Sequence, residues 1–168
     1  MSGGRRIDVS FPEGRTGQPW TSELHAASAQ WKERTGHWPT AFVSDVATKS
    51  SDDRAELLVN ALLDCGFAVH RHPEVDRVED MAAGVRGTGA RLVAICARGS
   101  TDPARVHPFV LAIPEAEYIL VAGDQPDPST EREGDPAARG YYVDAVRNPD
   151  ELAWVMRFIC RGLGIANP

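Results

Sequence analysis

Residues 92–96 read Leu-Val-Ala-Ile-Cys, an uninterrupted run of apolar side chains. A strand with one face in water alternates apolar and polar residues, so a continuous run is typical of a strand buried on both faces. Such strands occur in parallel sheets that are covered by helices on both sides. This stretch therefore predicts the centre of a parallel α/β sheet.

Shorter apolar runs on both sides of this stretch predict the remaining strands. They occur at residues 41–43, 67–69, 118–122 and 141–143. The segments between the strands carry apolar residues at helical spacing, most clearly after Asn148. There Asn148 is suited to the N-cap and Pro149 to the first helical position. One apolar stripe follows, made of Leu152, Val155, Met156, Ile159, Cys160 and Leu163.

The alternation of strands and amphipathic helices predicts right-handed βαβ units. We expect an α/β fold with a flavodoxin-like, five-stranded parallel sheet in the order 2-1-3-4-5 and helices on both faces. Residues 40–168 would form this domain, and residues 1–39 an N-terminal arm with one helix over Thr21–Arg34. Three tryptophans lie in the arm (Trp20, Trp31 and Trp38). Since indole surface is seldom left in water, we expect the arm to lie on its own domain or on another chain.

Composition excludes several classes of function. The net charge of −6 provides no excess of basic residues to neutralise nucleic-acid phosphates. No apolar stretch approaches the roughly 20 residues of a membrane span. Cys65, Cys96 and Cys160 lie among apolar neighbours and are odd in number, so we expect reduced core thiols and a cytoplasmic location. The sequence thus predicts no nucleic-acid partner and no membrane partner.

A ligand in such a sheet binds beyond the carboxyl ends of the strands, where the strand order reverses. In this sequence that edge comprises Asp45–Ser51, Arg98–Asp102 and Gly123–Pro126. The candidate binding residues are Asp45, Thr48, Ser50, Ser51, Arg98, Ser100 and Gly123. Hydroxyl groups at a helix N-terminus suit an anion, with simple N-capping as the alternative.

Motifs for catalysis or metal binding fail when tested. Gly84, Gly87 and Gly89 follow a predicted helix, whereas a dinucleotide fingerprint needs its glycines directly after a strand. His70 and His72 would share one face of a strand, but a metal site needs three or four ligands, and we expect Pro73 to end the strand there. We therefore predict no catalytic residues and no metal site.

From Thr40 to Ile165 the chain resembles the C-terminal cobalamin-binding domain of the methylmalonyl-CoA mutase family, and most of all its non-catalytic small subunit. The residues that carry the likeness are 40–67, 92–96, 119–123 and 163–165. The family's cofactor motif is Asp-x-His-x-x-Gly after the first strand, and its histidine is the cobalt ligand. The corresponding segment here is Asp45-Val46-Ala47-Thr48-Lys49-Ser50, and no histidine occurs between His37 and His70.

The resemblance implies a degenerate cobalamin-binding-type domain without a bound cofactor. Its expected role is that of a non-catalytic partner or structural subunit in a B12-dependent isomerase complex, paired with a larger catalytic mutase-like subunit or with itself. A mutase barrel does not fit in 168 residues, so we expect no enzymatic activity from this chain alone. Two alternatives stay open: a small-molecule-binding or sensory module, and a true corrinoid binder that keeps the cofactor's own base on cobalt.

Overall fold

The computed structural model describes residues 7–15, 17, 19–46, 54–75, 77–97, 108–122, 140–143 and 149–166. Within these ranges the strands form a single sheet in the order β1-β3-β2-β4-β5-β6. The strands are β1 (Asp8–Ser10), β2 (Thr40–Val46), β3 (Ala68–Val75), β4 (Leu92–Ala97), β5 (Tyr118–Ala122) and β6 (Gly140–Val143). The sheet therefore contains all the predicted strands and one more.

The five strands β2 to β6 confirm the predicted parallel sheet. Every neighbouring pair among them is parallel, and their spatial order β3-β2-β4-β5-β6 is the expected order 2-1-3-4-5. The apolar run in β4 lies near the centre, and Leu92 to Ile95 are fully buried. Sequence analysis did not predict β1, which pairs antiparallel with the outer edge of β3 and places Val9 opposite His70.

Helices cover both faces of the sheet, as predicted. Their bounds are α1 (Pro19–Thr35), α2 (Arg54–Asp64), α3 (Val78–Thr88) and α4 (Pro149–Gly162), and residues 108–111 are also helical. On one face α2 and α4 bury residues such as Leu62 and Met156 in a core shared with Val43. On the other face α3 buries Met81 in a core shared with Phe42.

Strand β3 is longer than the sequence predicts. Pro73 was expected to end it, and that expectation is wrong because β3 continues to Val75. The register against β2 jumps from Ser44 opposite His72 to Val46 opposite Val75, so β3 has one extra residue there and forms a bulge. A bulge tolerates proline because it interrupts the hydrogen-bond ladder, where the missing N–H would otherwise be needed.

Helix α1 packs on the rest of the chain at the amino-terminal edge of the sheet. Ser28 Oγ donates a hydrogen bond of 2.8 Å to the carbonyl oxygen of Cys65, just before β3 begins. Trp20 and Trp31 pack against the core formed by α2 and α4, which accounts for the indole surface within this chain. Helix α1 therefore lies away from the carboxyl edge, where ligands of such sheets bind.

Gly66 allows α1 to pack closely against the chain just before β3, because of its backbone conformation and because it has no side chain. Its φ is +91°, and an added Cβ would stand 2.5 Å from the Cβ of Ser28. Gly36 has a similar φ of +89° but has nothing within 4 Å of an added Cβ. We expect Gly36→Ala to cost about 1 kcal/mol for the left-handed backbone, and Gly66→Ala about 1–3 kcal/mol more for the clash. Urea denaturation of both variants tests this, and equal losses would contradict it.

Candidate functional site

The carboxyl ends of the central strands lie side by side. Val46 at the end of β2 is in register with Ala97 of β4, and Cys96 of β4 with Ala122 of β5. Asp45 occupies the last but one position of β2 and is only 5% exposed. A buried carboxylate at the carboxyl end of the first parallel strand fits the edge where a ligand was predicted.

Asp45 is the one predicted site residue that the described part of the chain contains. Six others lie outside the described residues: Thr48, Ser50, Ser51, Arg98, Ser100 and Gly123. Their role as binding residues stays a prediction. The site is therefore built from Asp45 and the described side chains that contact it.

Arg71 of β3 is shared between two carboxylates. Its Nη2 donates a hydrogen bond of 2.7 Å to Asp45 Oδ2, and its Nη1 donates to Glu56 Oε1 in the first turn of α2. Asp45 and Arg71 contact each other because alternate residues of neighbouring strands point to the same face of the sheet. The central strand, the neighbouring strand and a helix are thus joined by one guanidinium group.

Electrostatics stabilise this arrangement. Burial by itself lowers the pKa of Arg71, but hydrogen bonds and charges from Asp45 and Glu56 outweigh burial and raise the pKa above its ordinary value. Hydrogen bonds between charged groups in a partly buried pair are stronger than those between neutral groups. Arg71 therefore serves as the counter-ion of Asp45 in the folded chain.

Three buried polar atoms near the carboxyl edge retain unused hydrogen-bonding capacity, two of them on this pair and one, on Ser44, on the opposite face of the sheet. Asp45 Oδ1, Arg71 Nε and Ser44 Oγ are buried, and none has a hydrogen-bond partner among the described residues. An unsatisfied buried donor or acceptor costs about 1–3 kcal/mol, so native structures usually supply a partner, often a water or a ligand. Asp45 Oδ1 is thus a buried acceptor without a described partner near the carboxyl edge of the sheet.

Sequence reasoning missed the other two members of this cluster, Arg71, which contacts Asp45, and Glu56, which contacts Arg71. The signal for Arg71 was present, since an arginine two residues after the buried Val69 has to point to the same apolar face. A charge at that position requires a carboxylate nearby. Glu56 carried no such signal, because an acid in the first turn of a helix is commonly explained by the helix dipole.

The histidines of β3 do not form a metal site in the described structure. No group of three or more His, Cys, Asp or Glu side chains able to hold a metal ion occurs among the described residues. His70 is in register with Phe42 on β2 and with Val9 on β1. Burial lowers the pKa of His70, so the folded chain favours its neutral form.

The lowered pKa of His70 predicts a pH dependence of stability. An unfolded histidine has a pKa of about 6.5 and binds a proton more readily than folded His70, so stability falls as the pH drops below about 6.5. We expect His70→Gln to reduce this slope, and His37→Gln on the exposed surface to leave it unchanged. Urea midpoints measured between pH 5 and 8 test this, and identical slopes in wild type and His70→Gln would contradict it.

The cysteines are the core thiols that the sequence predicts. Cys65, Cys96 and Cys160 are all buried, and none of them is in a disulfide. Burial raises the pKa of Cys160 to about 12 and also raises that of Cys65 well above its ordinary value. A thiol at neutral pH is a poor nucleophile and a poor metal ligand, so these two residues serve packing.

None of the helices in the described ranges combines the length and the apolar character that a membrane crossing requires.

Comparison with known proteins finds solved structures that are similar to this chain, and two of them are cobalamin proteins. No protein-family model and no curated protein sequence matches the chain. A cobalamin-binding protein from Desulfitobacterium hafniense aligns over 80% of this chain at 13% identity, with a TM-score of 0.54. The methanol:cobalamin methyltransferase complex from Methanosarcina barkeri aligns over 74% at 15% identity, with a TM-score of 0.51. This chain spans 65% of the first matched chain and 50% of the second.

These similarities correct the prediction that the chain takes no cofactor. That prediction is wrong because it made binding depend on a histidine ligand, whereas the fold is the one found in two cobalamin proteins. An axial ligand is one contact among many, and its loss does not remove the surface that holds the rest of a large cofactor. The described structure thus has the fold of cobalamin-binding domains.

Proposed function

We propose that this chain binds a corrinoid of the cobalamin type at the carboxyl edge of its sheet. The observation that carries the proposal is the buried carboxylate of Asp45 near the end of the first parallel strand, whose Oδ1 has no hydrogen-bond partner among the described residues. Support also comes from the similar fold of two cobalamin proteins. Thr48, Ser50, Ser51, Arg98, Ser100 and Gly123 remain the proposed further contacts at this edge.

The residues present fit a corrinoid whose cobalt takes no ligand from the protein. The segment between His37 and His70 contains no histidine, and Asp45 is already engaged by Arg71. Cobalamin carries a base of its own that occupies the lower position of the cobalt. A bound corrinoid would supply the cobalt chemistry, while this chain would bind and orient the macrocycle.

The second part of the proposal is that the chain works with a larger catalytic chain. One of the similar structures is itself a complex. On α4, Trp154 and Phe158 stack with ring centroids 6.0 Å apart, although 63% and 45% of their surfaces are exposed. Exposed aromatic pairs of this kind are enriched at protein interfaces. A mutase-like catalytic chain of the B12-dependent isomerase type is the partner that the sequence resemblance implies, with self-association as the alternative.

Corrinoid binding is tested by mixing the purified chain with hydroxocobalamin and separating bound from free cofactor by gel filtration. We expect a red chromophore to elute with the protein. The cobalt ligand is then identified by reducing the complex to cob(II)alamin and recording its paramagnetic resonance spectrum with ¹⁵N-labelled protein. The nitrogen splitting should remain the triplet of unlabelled nitrogen, because the ligand belongs to the cofactor.

Three outcomes separate the parts of this proposal. Absence of a retained chromophore would refute corrinoid binding. A doublet from ¹⁵N would show a protein ligand on cobalt and refute the proposed binding mode. The partner role is tested by affinity purification from the source cell, where Trp154→Ser should lose a catalytic chain that the wild type retains; the matched variant Arg161→Ser, farther along α4, serves as its control.

A further inference from the structure

We infer that Asp45 Oδ1 accepts a hydrogen bond from a neutral donor on the bound ligand, and that the ligand is selected for amide or hydroxyl groups over carboxylates. This inference rests on the proposed corrinoid function and specifies which chemical group the site recognises. It follows from the difference in hydrogen bonding between the two carboxylate oxygens of Asp45. One oxygen is bound by Arg71 and the other has no described partner.

Asp45 Oδ1 needs a hydrogen-bond donor to offset the free-energy cost of its burial. The side chain of Asp45 is only 7% exposed, so bulk water does not satisfy Oδ1. An ionised carboxylate has only acceptor oxygens, and a ligand atom facing it must therefore carry a hydrogen. Primary amides, which surround the corrin ring of cobalamin, are donors of this kind.

Local charge argues against an anionic ligand group at the same position. Asp45 and Glu56 are two carboxylates, and among the described residues Arg71 is the one cation that both of them contact. These three groups sum to one negative charge, which would repel a ligand carboxylate placed against Asp45. Arg71 donates from both of its terminal nitrogens to these two carboxylates, so its charge is already shared between them, and only its Nε is left without a described partner.

Asp45→Asn replaces the hydrogen-bond acceptor at the position of Oδ1 with a donor. The asparagine carbonyl oxygen would face Arg71, which can only donate. The amide nitrogen would then take the place of Oδ1 and present a donor to the donor on the ligand. We expect the affinity for cobinamide, a corrinoid with intact amides, to fall by about tenfold to a hundredfold.

Glu56→Gln is the matched control. It removes the same charge from the same cluster and loosens the same arginine, but Glu56 is 61% exposed and leaves Asp45 Oδ1 in place. We expect its affinity for cobinamide to stay within about twofold of wild type. Circular dichroism and urea midpoints of both variants establish that they are folded under the conditions of binding.

A comparison of two probes tests the inference in the wild-type chain, independently of any variant. Cobyrinic acid carries carboxylates where cobinamide carries amides, and both lack the cofactor's own base. Titration followed by absorbance should give at least about tenfold tighter binding of cobinamide by wild type. Asp45→Asn should reduce the ratio of the affinity for cobinamide to that for cobyrinic acid, whereas Glu56→Gln should leave this ratio unchanged.

The outcomes distinguish this inference from the function on which it rests. If wild type binds neither hydroxocobalamin nor cobinamide, the proposed function fails and the inference fails with it. If wild type binds cobinamide but Asp45→Asn and Glu56→Gln bind it equally well, the function stands and the inference is overturned. Equal affinity of wild type for cobinamide and cobyrinic acid would also overturn it.

Discussion

Replacing Arg71 with methionine should destabilise the chain by about 3–5 kcal/mol, because it leaves the buried carboxylate of Asp45 without its counter-ion. Methionine keeps much of the apolar stem of arginine, so the loss reports the charge more than the packing. Asp45 is 5% exposed and has little access to water as a substitute partner. Urea denaturation monitored by tryptophan fluorescence gives the free energy of unfolding.

Two further variants identify the source of that loss. In the double variant Arg71→Met, Asp45→Asn the buried charge is gone, so a large part of the stability should return. Glu56→Gln alone should cost less than about 1 kcal/mol, since its ion pair with Arg71 involves an exposed carboxylate. If the double variant loses as much stability as the separate losses of Arg71→Met and Asp45→Asn added together, the ion pair between Asp45 and Arg71 is not the cause.

The second large effect is expected at Phe42 in the central strand. Its ring is fully buried against α3, where an added Cβ on Gly84 would stand 2.7 Å from Phe42 Cζ. Truncating a buried phenylalanine to alanine typically costs about 3–5 kcal/mol, and we expect Phe42→Ala to fall in this range. Thermal and urea unfolding both measure the loss.

The same contact predicts a coupling between the strand and the helix. Gly84→Ala alone should cost about 1–3 kcal/mol through overpacking against the ring. Combining it with Phe42→Leu removes the clashing atoms, so the pair should cost less than the sum of the single changes. Additive losses would mean that the ring and the helix backbone do not meet in solution as they do in the structure.

Periodicity was sufficient to predict the sheet and its helices. The apolar run of β4 and the stripe of α4 lie in the core, because period and burial are coupled wherever an element has a buried face. The order of the parallel strands is the one that five-stranded doubly wound sheets of the flavodoxin type favour. Strand β1 carried no such signal: three residues with exposed side chains join the sheet through their backbone alone.

The site was harder to predict than the fold. Asp45 was identified because strand order determines which edge binds a ligand. Its partnership with Arg71 depends on the register between β2 and β3 and on the bulge at Pro73, and neither follows from the local sequence. The absence of the motif's histidine led to the prediction that the chain binds no cofactor. A sequence motif identifies a single ligand, however, and does not describe the whole binding surface.

Salt should affect the two sides of the Arg71 bridge unequally. Added ions screen the exposed contact with Glu56, whereas the contact with the buried Asp45 is shielded from them. In a concentrated electrolyte the guanidinium would therefore remain bound to the central strand but release the first turn of α2. The beginning of that helix would then exchange its amide hydrogens faster in high salt, while the strand beneath it would not.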